Sequence, residues 1–493
     1  MTATVTAEQA TALLPSPGLF IDGQWVMTST ARPFPHVAPA TGRPTAEVTL
    51  AGPAEVDAAV GAARAAFPGW RRTAPAQRRD LLLRLADLMA GASAELAALS
   101  SLEMGQPFKG ARAGVGGAVE WFRYYAGWAD KLDGLVAPVA PGAALDYTVP
   151  EPYGVVAAII PWNGPVISLA LKVAPALAAG NTVVLKPPEL APFSSLRFAA
   201  LAAEAGLPPG VLNVIPGGAA AGEALCRHPD VAKITFTGGS DTGRAVAVAA
   251  AHHHTPVVLE LGGKSASLIF ADADPAVTGK LAALLGVAQN SGQGCFLPTR
   301  LLVERPVYEA VLDRIVGVVE GLKVGDPFAG DTVMGPVVSE AACTRILSIV
   351  DQAAEDKAGR LCTGGRRAGG DLADGFFVEP TVFADADPTS SLVQEEIFGP
   401  VLAVLPFDDE EEAVALANDT RYGLAGYVWT NDVRRAHRVA DALEAGYVSV
   451  NGMAPLPPQA PFGGWKASGH GLEGGRAGIE EFLRPKNIFV SLR

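Results

Sequence analysis

Between residues 151 and 270 the chain alternates short apolar runs with stretches of helical spacing, and this alternation narrows the fold more than any other feature. Apolar strands start near Val155, Thr182, Val211, Ala232 and Pro256. The spacing between them predicts helices over Val166–Ala179, Ser194–Ala205, Ala219–Arg227 and Thr242–Ala251. Gly180 and Gly206 stand where helix stops belong. Strand–helix alternation at this period means parallel βαβ units in a doubly wound α/β sheet. Such sheets bind ligands at the carboxyl ends of their strands. The distinctive residues fall there: Pro161-Trp162-Asn163, Lys186-Pro187-Pro188-Glu189, Gly238-Gly239-Ser240 and Glu260-Leu261-Gly262-Gly263.

A second α/β set follows. Strands are expected over Ser265–Phe270, Arg300–Val303, Val401–Leu405, Gly426–Thr430 and Tyr447–Val450, with helices over Pro306–Leu322, Ala341–Lys357, Glu410–Asn418 and Val433–Leu443. Before residue 151, Leu19–Val26 reads as a hairpin with Asp22-Gly23 as its turn. Helical spacing covers Glu55–Phe67, Ala76–Met89 and about Gly117–Leu132. Lys486–Leu492 reads as a terminal strand able to pair with another subunit. At 493 residues the chain is too long for one hydrophobic core.

The charge balance excludes some partners. A net charge of −13 leaves no electrostatic footprint for nucleic acid. No apolar run is long enough to span a bilayer. The first basic residue is Arg32, and the four cysteines form neither a disulfide framework nor a zinc pattern, so a reducing cytoplasm is expected. The run His252-His253-His254 has no carboxylate or Cys at ligand spacing, so no metal is expected.

Five places carry chemistry. Cys295 follows Gly292-Gln293-Gly294, on a glycine-flanked turn between an apolar helical run and a strand, open to a substrate. Cys226, Cys343 and Cys362 lie in regular elements and read as inert. Glu260 ends an apolar strand before two glycines; it is either bonded to the turn or held as a base with a raised pKa. Asn163 is placed either to donate its amide to an oxyanion or to close an Asx-turn. Phe236-Thr237-Gly238-Gly239-Ser240 follows a strand and opens a helix, which suits a phosphate but also any βα turn. Lys186 and Glu189 suit ribose hydroxyls, or a surface Lys with a capping Glu.

Taken together, these motifs resemble the aldehyde dehydrogenase superfamily over nearly the whole chain. The matching pieces, in order, are Pro161-Trp162-Asn163, Lys186-Pro187-Pro188-Glu189, Gly206-Leu207-Pro208-Pro209-Gly210-Val211, Phe236-Thr237-Gly238, Glu260-Leu261-Gly262-Gly263-Lys264, Gly292-Gln293-Gly294-Cys295, Glu395-Glu396-Ile397-Phe398-Gly399-Pro400 and Pro461-Phe462-Gly463-Gly464-Trp465-Lys466. The resemblance implies oxidation of an aldehyde to its acid with NAD, NADP being possible. It makes Cys295 the nucleophile, Asn163 the oxyanion donor, Glu260 the base and Lys172 a support for proton removal. Ile160, Pro161, Trp162, Lys186, Glu189, Phe236, Gly239, Ser240, Gly262, Glu396 and Phe398 would hold the cofactor. The carboxylate of Glu189 favours NAD by repelling a 2′-phosphate. The implied organisation is a doubly wound cofactor domain (1–130 and 150–261), a second α/β catalytic domain (262–464) and a small β oligomerisation element (131–149 and 465–493), giving a homodimer or homotetramer.

The chain departs from the family in its tunnel. Gly164, Ser168 and Leu171 share one helix face where many members carry larger groups. Phe296, Phe462, Met453 and Leu456 are expected opposite, without charge. The expected substrate is therefore a bulky apolar aldehyde, aromatic or terpenoid-like. A non-redox cysteine esterase, or a non-catalytic protein on the same fold, are the alternatives.

Overall fold

The computed structural model describes residues 5–139, 143–453 and 456–492. Residues 1–4, 140–142, 454–455 and 493, which fall within the three expected regions, lie outside the described residues. The first sheet has eight strands. Its parallel centre runs Leu212–Val214, Thr182–Lys186, Val155–Ile159, Val231–Thr237, Val257–Glu260. In chain order this is 3-2-1-4-5, so the topological switch falls between Val155–Ile159 and Val231–Thr237. Helices Pro165–Ala178 and Phe193–Glu204 cover one face; Pro53–Trp70, Ala219–Cys226 and Ser240–Ala251 cover the other. Alternate strand residues supply the two cores: Val156, Ala158 and Val183 face one, Val155, Ala157 and Val184 the other. Burial on both faces explains why these strands read as continuous apolar runs.

The hairpin Leu19–Ile21 and Gln24–Val26 extends one edge antiparallel. Asp22 (φ 51°) and Gly23 (φ 75°) make its turn left-handed, as a two-residue Asp-Gly loop requires. At the other edge Gly469–His470 pairs with Val257–Glu260.

The second sheet has seven strands, with Ala266–Ile269 between Arg300–Glu304 and Ala425–Trp429. A three-stranded antiparallel sheet joins Leu483–Ser491, Ala144–Pro152 and Val136–Ala137. The expected helix at 117–132 instead spans Phe108–Ala126. Glycines at 110, 114, 116 and 117 obscured its beginning. Helix Ser93–Met104 had no readable period because every residue from Leu96 to Met104 is buried. Strands Phe34–Ala38 and Arg43–Val48 were hidden by Pro35 and Pro44. Among the described residues no helix is long and apolar enough to cross a membrane.

Candidate active site

The site lies where the carboxyl ends of the first sheet face the segment leading into Arg300–Glu304. Strand Val155–Ile159 ends in Ile160–Asn163, and Gly164 caps helix Pro165–Ala178. From the opposite side, a π-helical turn over Leu284–Ala288 delivers three successive left-handed residues: Asn290 (φ 49°), Ser291 (φ 54°) and Gly292 (φ 71°). For the first two this is costly, and the surroundings enforce it. Ser291 Oγ donates to Gly335 O at 2.8 Å. Asn290 Nδ2 donates to Asn163 O at 2.8 Å and Gln293 O at 2.9 Å. Gln293 Oε1 accepts from Val338 N at 2.9 Å. Asn163 Nδ2 donates to Gln293 O at 2.9 Å. One N–H of that amide is thereby fixed and the second is available to another acceptor.

Cys295 follows this loop, half-buried on the wall of a cavity of about 180 Å³. Burial pushes its thiol up, as do the Glu396 and Glu260 carboxylates; its own N–H and that of Phe296 act in the opposite direction. Glu260 lies on the same cavity, 3% exposed. Neither of its carboxylate oxygens has a hydrogen-bond partner among the described residues. Burial holds its carboxyl well above the ordinary range; the neighbouring Glu473 adds to this and Lys172 opposes it. Lys172 is fully buried, donating to Glu473 Oε1 at 2.7 Å and Thr235 Oγ1 at 3.0 Å. Two buried carboxylates therefore share one buried ammonium. Lys172 bonds the other acid, so Glu260 is the member left free to exchange a proton.

Gly164, Ser168 and Leu171 line the cavity, facing Phe296 and Phe462. The two rings stand 6.3 Å apart, nearly perpendicular at 80°. Helix Phe108–Ala126 adds the small residues Ala111 and Gly114.

Beyond Pro161, the groups expected to hold a cofactor gather along the switch-point crevice. Lys186 Nζ donates to Gly217 O at 2.5 Å, and burial lowers the ammonium to about 8 although the Glu189 carboxylate raises it. A Cβ at Gly218 would lie 3.5 Å from Glu189 Oε1. Helix Ser240–Ala251 starts at exposed Gly239 with no side-chain cap, and a Cβ at Gly239 would meet nothing within 4 Å. Ser240 Oγ turns instead to Ala467 O at 3.4 Å. The Phe236 ring packs under Gly238, and Ile160 is buried beneath the crevice. Glu396 accepts from Gly263 N at 3.0 Å, and a Cβ at Gly262 would come within 2.4 Å of its Oε2. Phe398, left-handed at φ 53°, meets the Trp162 ring edge-on at 5.4 Å. An uncapped helix start, open space above a glycine, and carboxylates on both flanks fit a dinucleotide.

The sequence model of the aldehyde dehydrogenase family matches residues 25–488. This chain belongs to the aldehyde dehydrogenase family. The dehydrogenase is 43% identical to phenylacetaldehyde dehydrogenase of Pseudomonas fluorescens, covering 96% of this chain and 95% of the relative. It is 41% identical to human retinal dehydrogenase 2, covering 97% and 94%. The NAD⁺ complex of an aldehyde dehydrogenase from Bacillus cereus superposes with a TM-score of 0.93 at 40% identity, covering 97% of this chain and 96% of the other.

Several residues of the dehydrogenase site were not read from its sequence. Glu473 is 301 positions from Lys172, and only its glycine-rich setting, Gly469 to Gly475, marked it. Ile167 shares the cavity wall with Ser168. Polar Ser100, Gln106 and Gln289 also line the cavity, so its wall is less uniformly apolar than expected. Met453 does not line it, whereas Leu456 does. Among the described residues no group of three or more His, Cys, Asp or Glu is arranged to hold a metal ion.

Proposed function

We propose that this NAD-dependent aldehyde dehydrogenase oxidises a bulky, largely apolar aldehyde, aromatic or terpenoid-like, to its carboxylic acid through Cys295. The observation that carries the reading is the shared cavity of Cys295 and an unpartnered buried carboxylate, Glu260. The Cys295 Sγ attacks the carbonyl carbon, and its proton passes to Glu260 and from there to solvent, which returns Glu260 to its carboxylate form before hydrolysis. The oxyanion of the resulting thiohemiacetal is met by the free N–H of Asn163 and the backbone N–H of Cys295. A bound NAD⁺ would supply the hydride acceptor needed for this adduct to become a thioester. Glu260 then takes a proton from the water that hydrolyses the thioester, releasing the acid and regenerating the thiol. Lys172 holds Glu473 and moderates the basicity of Glu260 through its charge. Lys186 and Glu189 bind the adenosine ribose, Glu396 the nicotinamide ribose, and the start of helix Ser240–Ala251 the pyrophosphate.

The small wall of Gly164, Ser168, Ala111 and Gly114 supports a wide substrate. The exposed Val136 (73%) and Phe489 (60%) on the three-stranded sheet support a homodimer or homotetramer, with 131–149 and 465–493 as the oligomerisation element beside cofactor (1–130, 150–261) and catalytic (262–464) domains. The test is NADH formation over a panel of aldehydes, with NADP⁺ in parallel. Activity with NAD⁺, lost in Cys295→Ala and lowered by two orders of magnitude or more in Glu260→Gln, is expected. Product formed without NAD⁺ would favour a cysteine esterase. Acetaldehyde turned over as well as an aromatic aldehyde, in kcat/KM, would sink the wide-substrate reading.

A further inference from the structure

Among the described residues, Ser100, Gln106 and Gln289 on the cavity wall make no side-chain hydrogen bond, and the same is true of the hydroxyls of Ser168 and Thr237. Ser100 lies in the middle of the long buried run of helix Ser93–Met104, 4% exposed. Gln106 lies in the turn before helix Phe108–Ala126, its Nε2 3.3 Å from where a Cβ of Gly110 would sit. Gln289 immediately precedes the left-handed loop to Cys295. All three line the same cavity as Cys295 and Glu260. The side-chain groups of Ser100, Gln106 and Gln289 make no hydrogen bond to a described residue, although the amide groups of Asn163, Asn290 and Gln293 on the same wall are engaged. The wall carries two other kinds of group. Among the described residues its only charges are Glu260 and Glu473, which belong to the Lys172 cluster, and the remainder is glycine or apolar apart from Cys295, Ser168, Thr237 and the amides just named.

A bulky aldehyde seated against Cys295 displaces water from this wall. A wholly apolar body would leave two carboxamides and a hydroxyl unpaired, and polar groups stripped of water without a partner oppose binding. Among the described residues no cation lines the cavity to receive a carboxylate or phosphate, and its two carboxylates are committed elsewhere, Glu260 to proton transfer at Cys295 and Glu473 to Lys172.

We infer that the preferred aldehyde carries a second, uncharged hydrogen-bonding group on its apolar body, a hydroxyl or a ketone or ether oxygen, received by Gln289 and Gln106 with Ser100 beside them. This rests on the reading that the cavity binds a bulky aldehyde at Cys295. Carboxamides suit the task because each both donates and accepts, so one pair serves a hydroxyl in either role.

The test uses matched phenylpropanals carrying a hydroxyl or a methyl at the same ring position, taken position by position, with the full-length enzyme and saturating NAD⁺. At one ring position the hydroxyl form is expected to exceed its methyl counterpart by about tenfold in kcat/KM. Gln289→Leu and Gln106→Leu should each draw that ratio towards unity. The ratio does not depend on the fraction of enzyme correctly folded, so a poorly folding variant still reports. Equal kcat/KM for every pair in the wild-type enzyme overturns the inference, as does a preference that survives in both variants. If short aliphatic aldehydes react and none of the phenylpropanals does, the bulky-substrate reading fails and the inference falls with it.

Discussion

Replacing Gly292 by Ala tests whether the strained loop before Cys295 is what places the thiol. Gly292 sits at φ +71°, which costs an L-residue about 1–2 kcal/mol. The larger obstacle is steric. A Cβ there would lie 2.0 Å from Gly399 O and 2.2 Å from its carbonyl carbon, both backbone atoms. Restoring an ordinary contact of about 3 Å requires the loop and the Gly399-Pro400 turn to separate by roughly 1 Å, an overpacking that typically costs about 1–3 kcal/mol. Together these predict a loss of about 2–5 kcal/mol in stability. Asn290 and Gln293 tie the same loop to Asn163, so the separation also disturbs the thiol and the amide that faces it. A displacement of about 1 Å at reacting groups can cost on the order of 100-fold in rate, equivalent to about 2.7 kcal/mol of barrier. The assay is kcat/KM for the best aldehyde at saturating NAD⁺, with thermal and urea unfolding alongside. Gly61→Ala is the control. It lies inside helix Pro53–Trp70, where a Cβ would meet nothing within 4 Å, and should stabilise by up to about 1 kcal/mol with unchanged turnover. Wild-type stability and kcat/KM in Gly292→Ala would refute the reasoning. Lost stability with full activity would refute its positional half.

Three further outcomes are expected. Lys172→Met leaves Glu473 and Glu260 buried without a cation, so it should lower stability by about 3–5 kcal/mol; it should also move the acidic limb of the kcat profile to higher pH, because only the Lys172 charge holds the Glu260 carboxyl down. An acidic limb that stays in place would separate Lys172 from Glu260. Glu103 is fully buried, accepting from Phe193 N at 2.6 Å and from the Ser194 hydroxyl, with its carboxyl raised from 4.5 to about 7 by burial. Between those values the folded chain holds a proton that the unfolded chain has lost, so this group makes stability fall as pH rises from about 4.5 to about 7 and level off above. Glu103→Gln keeps the hydrogen-bonding shape and should be more stable than wild type at pH 8, by on the order of 2–3 kcal/mol, with the gap closing towards pH 4; urea unfolding that shows the same pH slope in both proteins would exclude Glu103 as its source. Phe489→Asp should shift the assembly towards monomer in light scattering, and an unchanged mass would remove the exposed terminal strand from the interface.

The fold and much of the candidate site could be read along the chain because their signals are local. The central strands are buried on both faces, so each appears as an unbroken apolar run, and Gly180 and Gly206 stop the helices that follow the first two of them. Asp22-Gly23 specifies a left-handed hairpin turn wherever it occurs between strands. Pro161-Trp162-Asn163, Glu260 and Cys295 stand at strand ends or glycine turns, positions that the alternation itself marks. Tertiary structure decided what those residues touch. Glu473 approaches Lys172 from 301 positions away, and nothing in the periodicity of either segment encodes that meeting. Helix Ser93–Met104 is enclosed on every side and so lacks a stripe, which concealed both the helix and Ser100 on the cavity wall. Gln106 and Gln289 look like ordinary polar loop residues until two helices and the Cys295 loop converge around one space. Sequence patterns record how each element divides itself between interior and solvent; the acid cluster beside Glu260 and the polar wall beside Cys295 depend on which interiors are shared, and that is settled only when distant elements pack together.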